Sequence, residues 1–182
     1  MGSLRVIAGA LKGRRLKAPA WEGLRPTSDK LRETLFNILA PRIDGARVLD
    51  GYAGTGALGI EALSRGASHV TFIDHDRRAQ ALIADNLAHC GVANGYVIIR
   101  ASVARALDDL RGSSFDIVLL DPPYDVPPDP IVASAGEILA PGGVLVLEHA
   151  RRRGSPDTAG PLVRTREVTS GDSALAFYSW PH

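Results

Sequence analysis

Cysteine is almost absent from this chain. Cys90 stands alone among 182 residues, so no intrachain disulfide can form. That excludes a disulfide-stapled secreted scaffold and suits a reducing, cytoplasmic setting. The lone thiol sits at a helix end and reads as a small apolar residue. No apolar run approaches the roughly 18 residues a membrane-spanning helix needs, and no membrane partner is expected. The basic opening has neither an apolar stretch nor a small-residue cleavage site, so no secretory signal is expected. The five histidines show no metal-ligand spacing and one cysteine cannot make a zinc site, so no metal is expected. No Gly-Lys-Ser/Thr phosphate loop occurs, which leaves ATP hydrolysis without support.

An excess of either charge is also missing, since the net charge is only +1. Its distribution is uneven. Residues 1–40 carry Arg5, Lys12, Arg14, Arg15, Lys17, Arg25, Lys30 and Arg32 against Glu22, Asp29 and Glu33, a net of +5, which leaves −4 for the rest. A basic arm on a mildly acidic body points to an anionic partner meeting the N-terminal end.

What is present is an alternation of strands and helices in a chain long enough for one domain. Leu4–Ile7 and Arg14–Lys17 read as a hairpin turned by the residues between Gly9 and Gly13. Pro19 to Pro26 is a loop. Thr27, Ser28 or Asp29 caps a helix with an apolar stripe at Leu31, Leu35, Phe36, Ile38 and Leu39, which Pro41 is expected to end. Apolar strands then close at Asp50, Asp74, Ile99, Leu120 and Glu148, with helices between them. Pro141-Gly142-Gly143 is expected to turn the chain into the last of these. Two antiparallel strands, Leu162–Val168 and Ala174–Tyr178, follow. Strands rich in Val, Ile and Leu alternating with helices indicate a parallel sheet covered on both faces. The expected division is one domain of 1–182, with a basic hairpin and loop at 1–27 and a Rossmann-like core at 28–182.

Asp50 to Gly59 contains G-x-G-x-x-G between a strand and a helix. The glycines let a ligand approach the backbone closely, which by itself suits a dinucleotide equally well. Asp50 shifts the balance. A carboxylate beside the loop repels a pyrophosphate but suits an ammonium group, such as that of S-adenosylmethionine. Asp74 ends the next strand, twenty residues past Gly54, where a carboxylate can accept from ribose hydroxyls. The expected cofactor contacts are Asp50, Ala53, Gly54, Gly56, Asp74, Ser102 and Val103, the last two placed by their loop to touch an adenine ring.

Asp121-Pro122-Pro123-Tyr124 closes the fourth strand of that series. Two prolines fix the backbone and remove two N–H donors, leaving acceptors at the Asp121 carboxylate and the Pro122 carbonyl. A planar amino group with two N–H bonds needs two such acceptors, and Tyr124 supplies a face for stacking on a base. These four residues are the expected catalytic set. Arg5, Lys12, Arg14, Arg15, Lys17, Arg25 and Arg32 are the expected contacts for the anionic partner. Glu148-His149 lacks a third partner in the sequence, and Arg151-Arg152-Arg153 reads as a solvated loop.

The tetrad is similar to the [DNS]-P-P-[YFW] motif of amino-group methyltransferases with the class I Rossmann-like fold. With Arg25–Asp29, Arg32–Leu39, Asp50–Leu63 and the basic opening from Gly9 to Pro19, the whole chain resembles the RsmD family of bacterial 16S rRNA guanine-N2 methyltransferases. The resemblance implies an α/β fold with a mostly parallel seven-stranded sheet plus an N-terminal hairpin and helix extension. It implies S-adenosylmethionine as donor and S-adenosylhomocysteine as product. It also implies 16S rRNA as partner, within a small subunit or an assembly intermediate. One short domain with limited RNA-binding surface leads to the expectation of a monomer. Gly51 departs from the bulkier residue usual after the motif's aspartate, and Ser102 stands where Asp or Asn is common. The residues themselves give transfer to a base amino group. Adenine N6, a protein glutamine amide, or a non-catalytic assembly factor on the same fold are the alternatives.

Overall fold

The computed structural model describes residues 4–24 and 27–182. Helix α1 (Asp29–Ile43) begins where the Ser28 hydroxyl accepts from the Leu31 N–H. Pro41 lies inside its last turn and does not end it. Asn37 and Pro41 both face solvent, so water can meet the carbonyl that proline leaves unpaired. Then come β1 (Arg47–Gly51), α2 (Ala57–Ser64), β2 (His69–Asp74), α3 (Arg77–His89), β3 (Tyr96–Arg100), α4 (Val103–Asp109), β4 (Phe115–Leu120) and α5 (Pro128–Gly136). The chain closes with β5 (Leu139–Ala150), β6 (Thr158–Ala159), β7 (Leu162–Ser170) and β8 (Ser173–Ser179).

The sheet has eight strands in the order β3-β2-β1-β4-β5-β8-β7-β6, one more than the seven expected. The extra strand is the two-residue β6, folded back onto the start of β7 around Gly160 (φ +54). It is too short to leave a periodic signal. Pro141-Gly142-Gly143 does not turn the chain into a new strand either. It sits inside β5 as a bulge, because β4 pairs at Phe115 with Leu139 and at Ile117 with Val144.

Alternate residues of each strand feed two cores. Val48, Phe72, Leu119 and Val146 pack with Leu35, Phe36, Ile60 and Ile83 of α1, α2 and α3. Leu49, Ile73, Val118 and Leu147 pack with Leu107, Val132 and Ala135 of α4 and α5. The chain runs outward from β1 to β3 and returns on the other side of β1 as β4. The β1 and β4 carboxyl ends therefore lie side by side, Gly51 opposite Leu120. Open α/β sheets bind ligands at such a reversal of strand order.

The N-terminal hairpin is narrow, with a single antiparallel bridge from Arg5 to Arg15. Its position is set by buried polar groups of the core. The Glu61 carboxylate accepts the N–H groups of Ile7 (2.8 Å) and Ala8 (3.0 Å). The Ser64 hydroxyl accepts from Leu11 (2.9 Å) and donates to the Ala8 carbonyl (2.6 Å). Asn86 accepts from the Lys17 N–H (2.7 Å) and donates to the Lys17 and Thr55 carbonyls. Among the described residues, no helix is long and apolar enough to cross a membrane.

Candidate active site

A cavity of about 340 Å³ opens at the β1–β4 switch. Asp50, Ala53, Gly54 and Asp74, four of the expected cofactor contacts, line it together with Asp121 and Pro123. Asp50 is 1% exposed and accepts the Gly59 N–H of α2 at 3.0 Å. Burial outweighs that bond and, with Asp74 nearby, pushes its carboxyl up to about 8. Asp74 accepts the Gly54 N–H at 2.9 Å and the Asp76 N–H at 3.0 Å, so it shapes the glycine loop from the next strand. Tyr52 adopts φ +60, the one non-glycine residue in that region among those described, and its ring packs into the second core beside the cavity.

The Gly51 departure has a direct explanation. A Cβ there would stand 2.8 Å from the Leu120 side chain, which fills the space a bulkier residue would take. Gly56 opens α2 with φ +82 and lies against Ile83, outside the cavity lining. Ser102 and Val103 do not line the cavity. The Ser102 hydroxyl caps α4 by accepting from the Arg105 N–H, and Val103 is buried in the second core.

The loop before α1 forms one wall of the cavity through Trp21, Glu22, Gly23, Leu24 and Thr27. The Arg78 guanidinium lies 4.7 Å from the centre of the Trp21 ring and is held by Asp76. Nothing in the sequence linked Trp21 to α3, because the contact joins residues 57 apart in the chain.

Beyond Asp121 a second, outer cavity opens, lined among others by Thr27, Tyr124, Glu148, Arg151, Arg152 and Asp172. Asp121 and Thr27 belong to both cavities and mark where they meet. Burial, then Glu148, then Asp50 hold the Asp121 carboxyl well above the usual carboxylate range. Burial likewise raises Glu148, against the hydrogen bond it accepts from Thr27. Tyr124 is 55% exposed, with the Arg153 guanidinium over its ring at 5.7 Å and bonded to its carbonyl. Arg151 and Arg152 of the exposed Arg151–Arg153 turn line the outer cavity, whereas Arg153 lines a neighbouring one with Pro122 and Tyr124.

The expected RNA contacts divide. Arg5, Lys12, Arg14, Arg15 and Lys17 are exposed on the hairpin. Arg25 lies outside the described residues. Arg32 must be corrected: it is fully buried, 3.0 Å from Asp29 and 3.7 Å from Glu61, so it cannot reach a phosphate. Its charge belongs to the core-facing side of the helix, which a count of basic residues does not separate from the surface.

Comparison with known proteins follows the same outline. The profile of a family described as "Conserved hypothetical protein 95" matches residues 4–179. "Putative rRNA methyltransferase YlbH" of Bacillus subtilis (strain 168) is 40% identical over 180 residues, covering 96% of this chain and 98% of that protein. "Ribosomal RNA small subunit methyltransferase D" of Escherichia coli (strain K12) is 46% identical over 123 residues, covering 68% of this chain and 61% of that protein. The solved structure titled "Putative methyltransferase yhhF from Escherichia coli" superposes with a TM-score of 0.85 at 33% identity, covering 98% of each chain.

Proposed function

The chain belongs to the RsmD-like family of bacterial 16S rRNA methyltransferases and is an S-adenosylmethionine-dependent methyltransferase; from that premise we propose that it methylates the exocyclic N2 amine of a specific guanine in 16S rRNA. The proposed substrate is a small ribosomal subunit or an assembly intermediate, met by a monomer acting as a single unit. The observation that carries this reading is the junction at Asp121. One carboxylate is shared between an inner cavity suited to a cationic cofactor and an outer one rimmed by a tyrosine and arginines.

When bound, the cofactor supplies an electrophilic sulfonium methyl group. Asp50 is the proposed partner of its ammonium, because a buried carboxylate gains most from a nearby cation. Asp74 and the Gly54 loop form the proposed ribose wall, with Ala53 beside them. On the outer side the Asp121 carboxylate and the Pro122 carbonyl accept the two N–H bonds of the base amine, and Tyr124, braced by Arg153, stacks on the ring. Holding both hydrogens turns the delocalised lone pair out of the ring plane and toward the methyl carbon. The amine nitrogen would accept the methyl as the bound sulfonium becomes a thioether, and the amine would then shed one proton. Asp121 takes it, and its raised affinity for protons makes it a better base than a free carboxylate. Most of the acceleration is positioning and electrostatics. Extruding a paired base costs roughly a few kcal/mol, which favours a loop base.

The test is a methyl-transfer assay with labelled S-adenosylmethionine. Small subunits from a strain lacking the enzyme, naked 16S rRNA and DNA are offered in parallel, and products are digested to nucleosides. Label in N2-methylguanosine from subunits supports donor, base and substrate together. Label in N6-methyladenosine overturns the base. In the same assay Asp121→Ala lowers kcat by ~10²-fold or more with cofactor affinity near wild type; loss of cofactor binding instead would reject its assignment.

A further inference from the structure

The outer cavity holds a second carboxylate that the transfer step does not use. Strand β4 runs parallel to β5 with Leu120 opposite Leu147, so Asp121, the residue just past the end of β4, and Glu148, still inside β5, are the next residues along two neighbouring strands. Both line the outer cavity. Glu148 Oε1 accepts the Thr27 hydroxyl at 2.9 Å. Among the described residues no cation forms an ion pair with Glu148. The adjacent His149 ring is engaged elsewhere, by Glu167 at 3.2 Å and the Ala150 carbonyl at 2.9 Å. Arg151 and Arg152 share the cavity wall without reaching it. Two neighbouring, half-buried carboxylates without a cation among the described residues are a costly arrangement, and N–H donors from a ligand relieve it.

Resting on the guanine reading above, we propose that Glu148 is a specificity-determining residue that accepts the N1–H of the target guanine beside the N2 amine held by Asp121. Guanine presents N1–H and N2–H₂ as adjacent donors, which match two adjacent acceptors. Adenine presents a lone pair at N1, which a carboxylate repels. Thr27 fixes Oε1 and leaves Oε2 to the base. The pair therefore selects guanine by its donor pattern, and Asp121 alone would accept any planar amine.

The test uses 16S rRNA rebuilt by splinted ligation around a synthetic segment and reconstituted into small subunits. The methylated position carries either guanine or 2,6-diaminopurine, which keeps the N2 amine but replaces N1–H by a lone pair and the 6-oxo group by an amine. The wild type is expected to prefer guanine by roughly 10- to 100-fold in kcat/KM, the size of a base-edge discrimination. Glu148→Gln, whose amide can donate to N1, is expected to bring that ratio to within about threefold, with calorimetric cofactor affinity unchanged. A wild-type ratio near one, or a Glu148→Gln ratio equal to that of the wild type, overturns the assignment while leaving guanine methylation intact. Transfer only to adenine would overturn the guanine reading and this inference with it. A wild-type ratio near one rejects the assignment even if the variant folds poorly, and the fall in the ratio on Glu148→Gln is the readout that a merely structural Glu148 would not produce.

Discussion

At the scale of single residues, Asp50 joins two requirements. It braces the start of α2 through Gly59 and lines the cavity. With its carboxyl pushed up to about 8, it is largely protonated at pH 7 in the free protein. A cation bound against it restores the carboxylate, so binding S-adenosylmethionine at pH 7 should release about one proton. Calorimetry in buffers of different ionisation enthalpy measures this directly, and affinity should fall as pH drops below about 8. Asp50→Asn should bind more weakly and with a flat pH profile. The sign for stability is opposite to that of an ion-paired carboxylate. The folded value lies above the ordinary 3.8, so ionisation penalises the fold and the free protein gains stability as pH falls from 8 toward 4. Asp50, Asp74 and the Asp121 tetrad were legible in the sequence because strand ends and glycine loops announce themselves locally. Glu148 was not, since its partners Thr27 and Asp121 come from other elements.

At the scale of elements, the hairpin and α2 behave as one piece. Two backbone N–H groups of the hairpin end on Glu61, which also holds Arg65 at 2.8 Å and faces the buried Arg32. Removing one partner of a buried charge cluster costs about 3–5 kcal/mol. Glu61→Ala should lose that much in chemical denaturation, and the Ile7 and Ala8 amides should exchange far faster than the β1 amides. Equal protection in variant and wild type would mean the hairpin is held otherwise. Gly9 belongs to the same joint. A Cβ there would sit 2.0 Å from the Ser64 carbonyl oxygen, at φ +88, so only glycine closes the contact. The hairpin's existence was readable from its turn residues and flanking apolar pairs. Its seat was not, because a helix glutamate followed by alanine and leucine looks like an ordinary helix face.

At the scale of the whole molecule, charge and fold divide the work. The sheet presents an acidic junction at its strand ends, and the hairpin presents Arg14, Arg15 and Lys17 to solvent. Neutralising these three should weaken RNA binding. The slope of log K against log salt should shrink by about 0.7–0.9 for each phosphate that is no longer neutralised. An unchanged slope would mean they do not touch the backbone. The alternation of apolar strands and amphipathic helices made the sheet readable end to end. What escaped were features below the length of a period, namely the two-residue β6 and the bulge in β5.

The seat of the hairpin bears on the order in which the protein becomes competent during its own synthesis. The contacts that set the basic segment span 53 to 69 residues, ending at Asn86. The arm leaves the ribosome before α2 and α3, yet its final geometry waits for them. A nascent chain therefore carries its positive charge through the exit region before it has a shaped surface to offer. The proposed RNA contacts of the arm would therefore take shape only once α2 and α3 have been made.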